Sequence, residues 1–307
     1  MSDESTAENV RVGLVGLGIM GSAMATHLLA AGFEVTGFDI VTEKVDDLVA
    51  KGGHAASSPG EVAGGADVVI TSLPTVAALR AAVGGDDGVV TGAHEGLVVV
   101  ESSTMPLAVK NEARERLETT GVAMLDCTLS GTGAQAARRD LVVYASGDRG
   151  PFERALPALQ SVSRSVRYVG EFGAGSKMKF VANLLVAIHN VAAAEAFILG
   201  RKAGLDAQLL YDVISDGAGT SRMFEVRGPM MVAQDYDEPS ARMELFLKDV
   251  DVIDNYARSI AAPVPIFSAT LAVYAAAIAQ GRADQDPAAV HDVLATLAGL
   301  IDEDASR

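Results

Sequence analysis

Apolar positions follow two regimes along this chain. Up to about Val169, short β-branched runs alternate with amphipathic stretches; beyond it the strand-like runs stop and apolar residues recur at helical spacing. The first regime predicts strands at Val10–Val15, Glu34–Phe38, Asp67–Ser72, Leu97–Val100, Val122–Leu125, Leu141–Ala145 and Val166–Val169, with a short one at His54–Ala55. Between them it predicts helices over Met20–Ala31, Thr42–Lys51, Val76–Val83, Pro106–Thr119 and Pro151–Ser161, several opened by Ser, Thr or Pro, which suit a helix start. Such alternation is the layout of an α/β fold, a doubly wound and mostly parallel sheet covered by helices on both faces.

The second regime predicts an all-α domain: a long helix over Ser176–Ala203, then Ala207–Ser215, Ser221–Val226, Ala241–Ile260, Pro265–Gln280 and Pro287–Ile301. With the boundary near Gly170–Gly175, the α/β domain spans 10–172 and the all-helical domain 173–307, joined by the long helix.

Composition narrows the function classes. Hydrophobic residues make up 49% of the 307, aromatics only 5%, and there is no Trp, which favours close helix packing over aromatic-lined surfaces. The mean hydropathy of +0.26 leaves apolar surface that an oligomer interface would bury. Forty acidic residues against 24 basic ones give a net charge of −16, which speaks against nucleic acid and anionic membranes as partners.

The single cysteine, Cys127, excludes an intrachain disulfide and a multi-Cys zinc cage; no metal site is expected, and a reducing, cytoplasmic setting fits. Residues 1–9 are acidic, lack the features of a signal peptide and are expected to be a disordered leader. The longest apolar run, Phe180–Gly200, contains Asn183, His189, Asn190 and Glu195, so it is expected to be a buried helix and not a membrane span.

Gly16-Leu17-Gly18-Ile19-Met20-Gly21 follows a predicted strand and opens a predicted helix, the context that a dinucleotide fingerprint requires. Gly16 makes the tight turn, Gly18 lets backbone approach the pyrophosphate, Gly21 permits close helix–strand packing, and the helix N-terminus offers N–H groups to the diphosphate. Asp39 ends the next strand. A carboxylate there accepts the adenosine ribose hydroxyls and repels a 2′-phosphate, which makes the expected cofactor NAD and not NADP; the other reading is a cap for the helix that follows.

Leu73-Pro74 and Ser102-Ser103-Thr104-Met105-Pro106 lie at C-terminal strand ends, where such sheets bind ligands; they line the nicotinamide side of the cleft or are ordinary turns. In Asp126-Cys127-Thr128-Leu129-Ser130-Gly131-Thr132-Gly133-Ala134, glycine-freed N–H groups with the Ser130 and Thr132 hydroxyls suit a substrate carboxylate.

Lys179 and Asn183 sit one helical turn apart after Gly173-Ala174-Gly175, so their side chains project together. A free lysine titrates near ~10.4, so service as a base near neutrality requires lowering by roughly 3 units, about 4 kcal/mol. If Ser176 caps the helix, Lys179 lies in a first turn whose dipole disfavours an ammonium; the apolar run favours burial, and Lys177 and Lys248 are candidate like charges, while a substrate carboxylate pushes back. The bland alternative is a surface lysine, which the adjacent Asn183 makes less attractive. His189 and Cys127 read as packed side chains.

With these residues assembled, the chain resembles the β-hydroxyacid dehydrogenase family, which includes 3-hydroxyisobutyrate dehydrogenases, tartronate semialdehyde reductases and threonate dehydrogenases, from Val10 to about Leu300. Four segments carry the resemblance: Gly16–Gly21, Ser130-Gly131, Gly173–Asn183 and Phe246-Leu247-Lys248-Asp249. It implies that Lys179 is the catalytic acid/base, that Asn183 orients substrate, that Lys248, with Asp249, lies near cofactor and substrate, and that the helical domain oligomerises.

Departures from the family pattern are Ala182 in place of an Asn, Thr132 in place of a Gly, and Asp126-Cys127-Thr128-Leu129 in place of Asp-Ala-Pro-Val; they bear on substrate identity. Segments around Gly175–Lys179, Asn183–Leu185 and Ala218–Glu225 look more like the threonate dehydrogenase branch.

The expected activity is NAD-dependent oxidation of a small 3-hydroxy or polyhydroxy acid, or the reverse reduction. In it Lys179 is catalytic; Ser130, Gly131, Thr132, Asn183 and Lys248 hold substrate; and Gly16, Leu17, Gly18, Ile19, Met20, Gly21, Asp39, Leu73, Pro74, Thr104 and Lys248 hold the cofactor. Two rivals remain: an imine reductase on the same architecture, whose members commonly lack the lysine, and a non-catalytic NAD-binding oligomerisation module. Cytosolic 6-phosphogluconate dehydrogenases share the cofactor motif, but this chain is too short for their helical domain.

Overall fold

The computed structural model describes residues 10–239 and 241–300. The acidic leader expected at 1–9 lies outside the described residues. The contacts divide the chain into two compact units, Met1–Lys179 and Phe180–Arg307. The first contains β1 (Arg11–Val15), α1 (Ile19–Ala30), β2 (Glu34–Phe38), α2 (Thr42–Ala50), β3 (His54–Ala55), α3 (Pro59–Gly65), β4 (Val68–Thr71) and α4 (Val76–Gly84). It continues with β5 (Val98–Glu101), α5 (Leu107–Glu118), β6 (Ala123–Ser130), α6 (Gly133–Ala137), β7 (Val142–Ser146), α7 (Arg149–Ser161) and β8 (Ser165–Gly170).

All eight strands form one sheet in the order β3-β2-β1-β4-β5-β6-β7-β8, parallel except for the antiparallel β6–β7 pair. The chain reverses direction across the sheet at the β1–β4 step, and at such a switch point doubly wound sheets leave a crevice at the C-terminal strand ends. β4 (VVIT) and β5 (VVVE) are buried at every position, as strands covered on both faces must be. Leu14, Ile70, Val100 and Leu125 pack on one side with α1 and α7, while Val15, Val69, Val99 and Met124 pack on the other with Leu79, Val109 and Leu117.

Two short helices escape the hydrophobic pattern. α3 is rich in glycine, yet the Ser58 hydroxyl accepts from Glu61 N at 3.1 Å and Pro59 occupies the first turn, two devices that start a helix despite poor propensity. α6 falls where the sequence suggests a loop. In the same region β6 runs on to Ser130 and not to Leu125, because Asp126–Ser130 pair with Val142–Ser146; Asp126, Cys127 and Thr128 are therefore buried strand residues and not part of an anion cradle.

The rest of the chain is α8 (Ala174–Lys202), α9 (Ala207–Ser215), α10 (Arg222–Ala233), α11 (Met243–Ser259), α12 (Pro265–Ala279) and α13 (Val290–Leu297). α10 continues past Val226 through Pro229, since Arg227, Gly228 and Met231 are buried there. By length and composition alone α8 is long and apolar enough to cross a membrane. Seven of its buried residues, Ser176, Phe180, Asn183, Ala187, Asn190, Ala194 and Phe197, recur at alternating spacings of four and three, the signature of one face packed on a protein core, with Val191 and Ala193 widening that face. Met178, Val181, Leu185 and Leu199 on other faces stay exposed.

Inside the helical unit Asn190 Nδ2 donates to Tyr274 Oη (3.1 Å) and to the Pro287 carbonyl (2.8 Å). Asn190, which shares a stripe with Asn183, is thus a structural amide.

Candidate active site

The glycine loop after β1 is built by close approach. Gly16 adopts φ +95°, donates to the Phe38 carbonyl at 2.9 Å, and lies so near the Ser72 carbonyl that any Cβ would overlap it; a Cβ on Gly21 would overlap the Gly16 carbonyl in the same way. Gly18 is the opposite case. A Cβ there meets nothing within 4 Å, and no side chain caps α1, whose N-cap it is. Leu17 is buried in the core beneath the loop, Met20 is half-buried against the same core, and Ile19 is exposed. Open space over uncapped helical N–H groups is what a diphosphate requires, so these residues fit a dinucleotide.

Asp39 braces this loop. Its Oδ2 accepts Leu17 N at 2.6 Å and its Oδ1 accepts Val41 N at 2.9 Å, leaving each oxygen a lone pair for a ribose hydroxyl. α2 is not capped by Asp39, since its N-cap is Val41 with no side-chain bond. Ile40 and Val41 beside it are exposed and carry no charge that would bind a phosphate.

Leu73 and Pro74 follow β4, and Leu73 N donates to Ser103 Oγ at 2.9 Å, which ties the loop after β4 to the Ser103-Thr104 loop after β5. Ser130 closes β6, Gly131 follows, and Thr132 opens α6 through a capping box: Thr132 Oγ1 accepts Gln135 N (3.4 Å) while Gln135 Oε1 accepts Thr132 N (3.0 Å). The Thr132 hydroxyl is thereby occupied by the fold.

Lys179 lies six residues into α8, and the start of that helix differs from the expected arrangement. Ser176 is not its N-cap: the helix begins at Ala174, and the cap comes from β6, where Asp126 Oδ2 accepts Ser176 N at 2.7 Å and Asp126 Oδ1 accepts Ser176 Oγ at 2.9 Å. A carboxyl group thus sits at the positive end of the helix and offsets its dipole. Gly175 permits this docking, because a Cβ would collide with the Asp126 and Tyr144 carbonyls.

Four residues beyond Lys179, Asn183 is 6% exposed and its Nδ2 donates to Asp249 Oδ2 at 3.0 Å. The acidic partner fixes which end of the amide is nitrogen. Asp249 also pairs with Lys248, Nζ to Oδ1 at 3.3 Å, so the motif residues of α8 and α11 in the helical unit form one polar cluster. Cys127 is fully buried; burial, then the neighbouring Asp126 charge, pushes its thiol pKa well above the usual range and removes it as a nucleophile. Among the described residues no group of three or more His, Cys, Asp or Glu is placed to hold a metal ion.

Residues 11–170 match the family described as the NAD binding domain of 6-phosphogluconate dehydrogenase, and residues 173–294 match the NAD-binding of NADP-dependent 3-hydroxyisobutyrate dehydrogenase. L-threonate dehydrogenase of Cupriavidus necator is 34% identical over 280 residues, covering 91% of this chain and 94% of that protein. NAD-dependent L-serine dehydrogenase of Pseudomonas aeruginosa is 34% identical over 287 residues, covering 90% and 95%. Among solved structures, a 3-hydroxyisobutyrate dehydrogenase from Salmonella typhimurium is similar at a TM-score of 0.84 and 34% identity, covering 93% of this chain and 100% of that one. A dinucleotide loop braced by Asp39, a lysine-bearing helix after the sheet and full-length matches to these enzymes agree: the chain belongs to the β-hydroxyacid dehydrogenase family, as an NAD-dependent oxidoreductase of its 3-hydroxyisobutyrate dehydrogenase-like members.

Proposed function

We propose that the protein oxidises the CH–OH of a small 3-hydroxy or polyhydroxy acid, or reduces the matching carbonyl, with Lys179 as acid/base. The observation that carries the reading is the Lys179–Asn183 pair on one turn of α8, with the Asn183 amide pinned by Asp249. NAD, when bound, supplies the hydride acceptor. In the oxidative direction the neutral Lys179 amine takes the hydroxyl proton at Nζ as the C–H bond breaks and the C=O bond forms; the reduction returns that proton from the ammonium.

Asn183, with its nitrogen committed to Asp249, turns its carbonyl oxygen to a hydroxyl donor on the substrate. Ser130, Gly131 and the Thr132 segment receive the carboxylate, and Lys248 adds a positive charge near the negatively charged ligands. Thr132, whose hydroxyl caps α6, contributes its methyl to the shape of the site.

The relatives named for L-threonate and L-serine support a polar acid of three to four carbons as substrate. Asp39, with no cationic neighbour in Ile40-Val41, supports NAD over NADP. A homodimer or homotetramer in the cytoplasm completes the reading: Leu205, Leu209 and Val213 are exposed on or beside α9, an apolar face suited to a second copy.

The test is Lys179→Ala, assayed with L-threonate, L-serine and 3-hydroxyisobutyrate in the presence of NAD. The expected outcome is a fall in kcat of at least about 10³-fold, within the range for a lost general base, with NAD affinity nearly unchanged. Turnover retained by the variant sinks the assignment.

A further inference from the structure

Lys110, on α5, is fully buried. Its Nζ forms ion pairs with Glu101 Oε2 at 2.5 Å and with Asp126 Oδ1 at 2.7 Å, and both carboxyl side chains are fully buried as well. Burial opposes the ammonium, but Asp126 and then Glu101 more than offset it and hold the Lys110 pKa above the ordinary lysine range. Desolvating such ions is costly, and apolar side chains of similar volume often stabilise a core as well or better. Cohesion alone is a poor reason for this cluster.

The reason lies in what the carboxyl groups hold. On one side Asp126 accepts the Ser176 N–H and hydroxyl; its own carbonyl accepts Ser146 Oγ (2.9 Å), whose oxygen accepts Gly175 N (2.9 Å), while Thr128 Oγ1 donates to the Gly175 carbonyl (2.8 Å). The first turn of α8 therefore hangs from β6 and β7. On the other side Glu101 Oε1 accepts Ser103 N (2.8 Å), and Ser103 Oγ accepts Leu73 N (2.9 Å). One line of polar contacts runs from Leu73 through Ser103, Glu101, Lys110 and Asp126 to Ser176, which precedes Lys179 by a single turn.

We infer that this line is a positioning device for the proton-transfer lysine: it fixes the first turn of α8, and so the Lys179 backbone, against the loops after β4 and β5. The inference rests on Lys179 being the acid/base. Glu101, Lys110, Asp126 and Ser176 are closed off from solvent, so they act through Lys179 and not on a ligand. Positioning matters because a shift of about 1 Å at a reacting group costs about 10²-fold in rate. Bonds from a neutral donor to a carboxylate are roughly twice as strong as neutral ones, which suits them to the task.

Ser176→Ala and Asp126→Asn in the full chain test it, assayed with whichever of L-threonate, L-serine and 3-hydroxyisobutyrate the wild type oxidises fastest. The measurements are kcat, KM, the Kd for NAD, thermal unfolding, and the rate with deuterium at the reacting carbon. Ser176→Ala is expected to lower kcat about 10-fold and Asp126→Asn about 100-fold, with KM and the NAD Kd within about twofold of wild type.

Deuterium should slow Ser176→Ala by a larger factor than it slows the wild type, because misplacing the proton acceptor makes the chemical step limiting; a loss of fold alone would not move that ratio. A folded Ser176→Ala enzyme with wild-type kcat, or a loss confined to KM or to stability, overturns the inference; if Asp126→Asn does not fold, Ser176→Ala decides. Failure of the lysine assignment reads differently, as turnover retained in Lys179→Ala.

Discussion

Both compact units bury ion pairs, and the two differ in where their remaining bonds lead. In the helical unit Arg227 Nε meets Asp286 Oδ1 at 2.9 Å, with the side chains 4% and 0% exposed. Asp286 also accepts Ala288 N at 3.0 Å and donates its own N–H to the Tyr236 carbonyl, while the Arg227 guanidinium lies 5.8 Å from the centre of the Phe246 ring. Every one of these partners is scaffold: the pair pins a short turn to the core of its own unit. The Glu101–Lys110–Asp126 cluster instead ends on a helix start whose next turn carries Lys179. Buried charge is thus the same chemistry put to two uses, distinguished by what hangs from the far side of each carboxyl group.

The largest expected effect tests that distinction directly. Lys110→Met strands two buried carboxyl groups and Arg227→Met strands one, and each should lose about 3–5 kcal/mol in denaturant unfolding. Among molecules that remain folded, only Lys110→Met should also turn over slowly. An Arg227→Met enzyme of normal fold and depressed kcat would dissolve the contrast.

A smaller effect is expected at another carboxyl group, Asp39, which braces backbone N–H groups as Asp126 braces Ser176 and which is proposed to read the cofactor ribose. Asp39→Asn should narrow the preference for NAD over NADP, as the ratio of kcat/KM values, by about tenfold, equivalent to about 1.4 kcal/mol. An unchanged ratio would remove Asp39 as the reader of the ribose.

The smallest effect uses Cys127 as a reporter beside the cluster. Iodoacetamide at mildly alkaline pH should leave it essentially unmodified in the wild type and in Arg227→Met, and should label Lys110→Met measurably faster, followed by intact mass. Equal labelling of all three proteins would mean that Lys110 does not govern opening of the sheet around β6.

Local spacing made much of this legible. Gly16, Gly18, Gly21 and Asp39 stand out because strand, turn and helix follow one another within a few residues, and Lys179 because an amide one helical turn away tells against a plain surface lysine. The cluster behind them was hidden for a physical reason. Lys110 stands among Asn111, Glu112, Arg114, Glu115 and Arg116, and any helix with that charge pattern reads as solvent-facing. Asp126, a polar residue after Val-Ala-Met-Leu, reads as the first residue of a loop, which is why β6 appeared to stop early.

One signal was available: Leu97–Glu101 and Val122–Asp126 are both apolar runs closed by an acid, and as neighbouring parallel strands they place Glu101 and Asp126 in register. Two carboxyl groups abreast inside a sheet demand a cation. The sequence pattern does not say which lysine answers, because that depends on how α5 packs, a long-range fact.

The Lys110 cluster also constrains how this lineage can change. Replacing Glu101, Lys110 or Asp126 singly leaves uncompensated charge in the interior, so each one-step path passes through a damaged intermediate. The three positions should therefore drift together or stay put, and a relative that has abandoned the lysine should have exchanged both acids too.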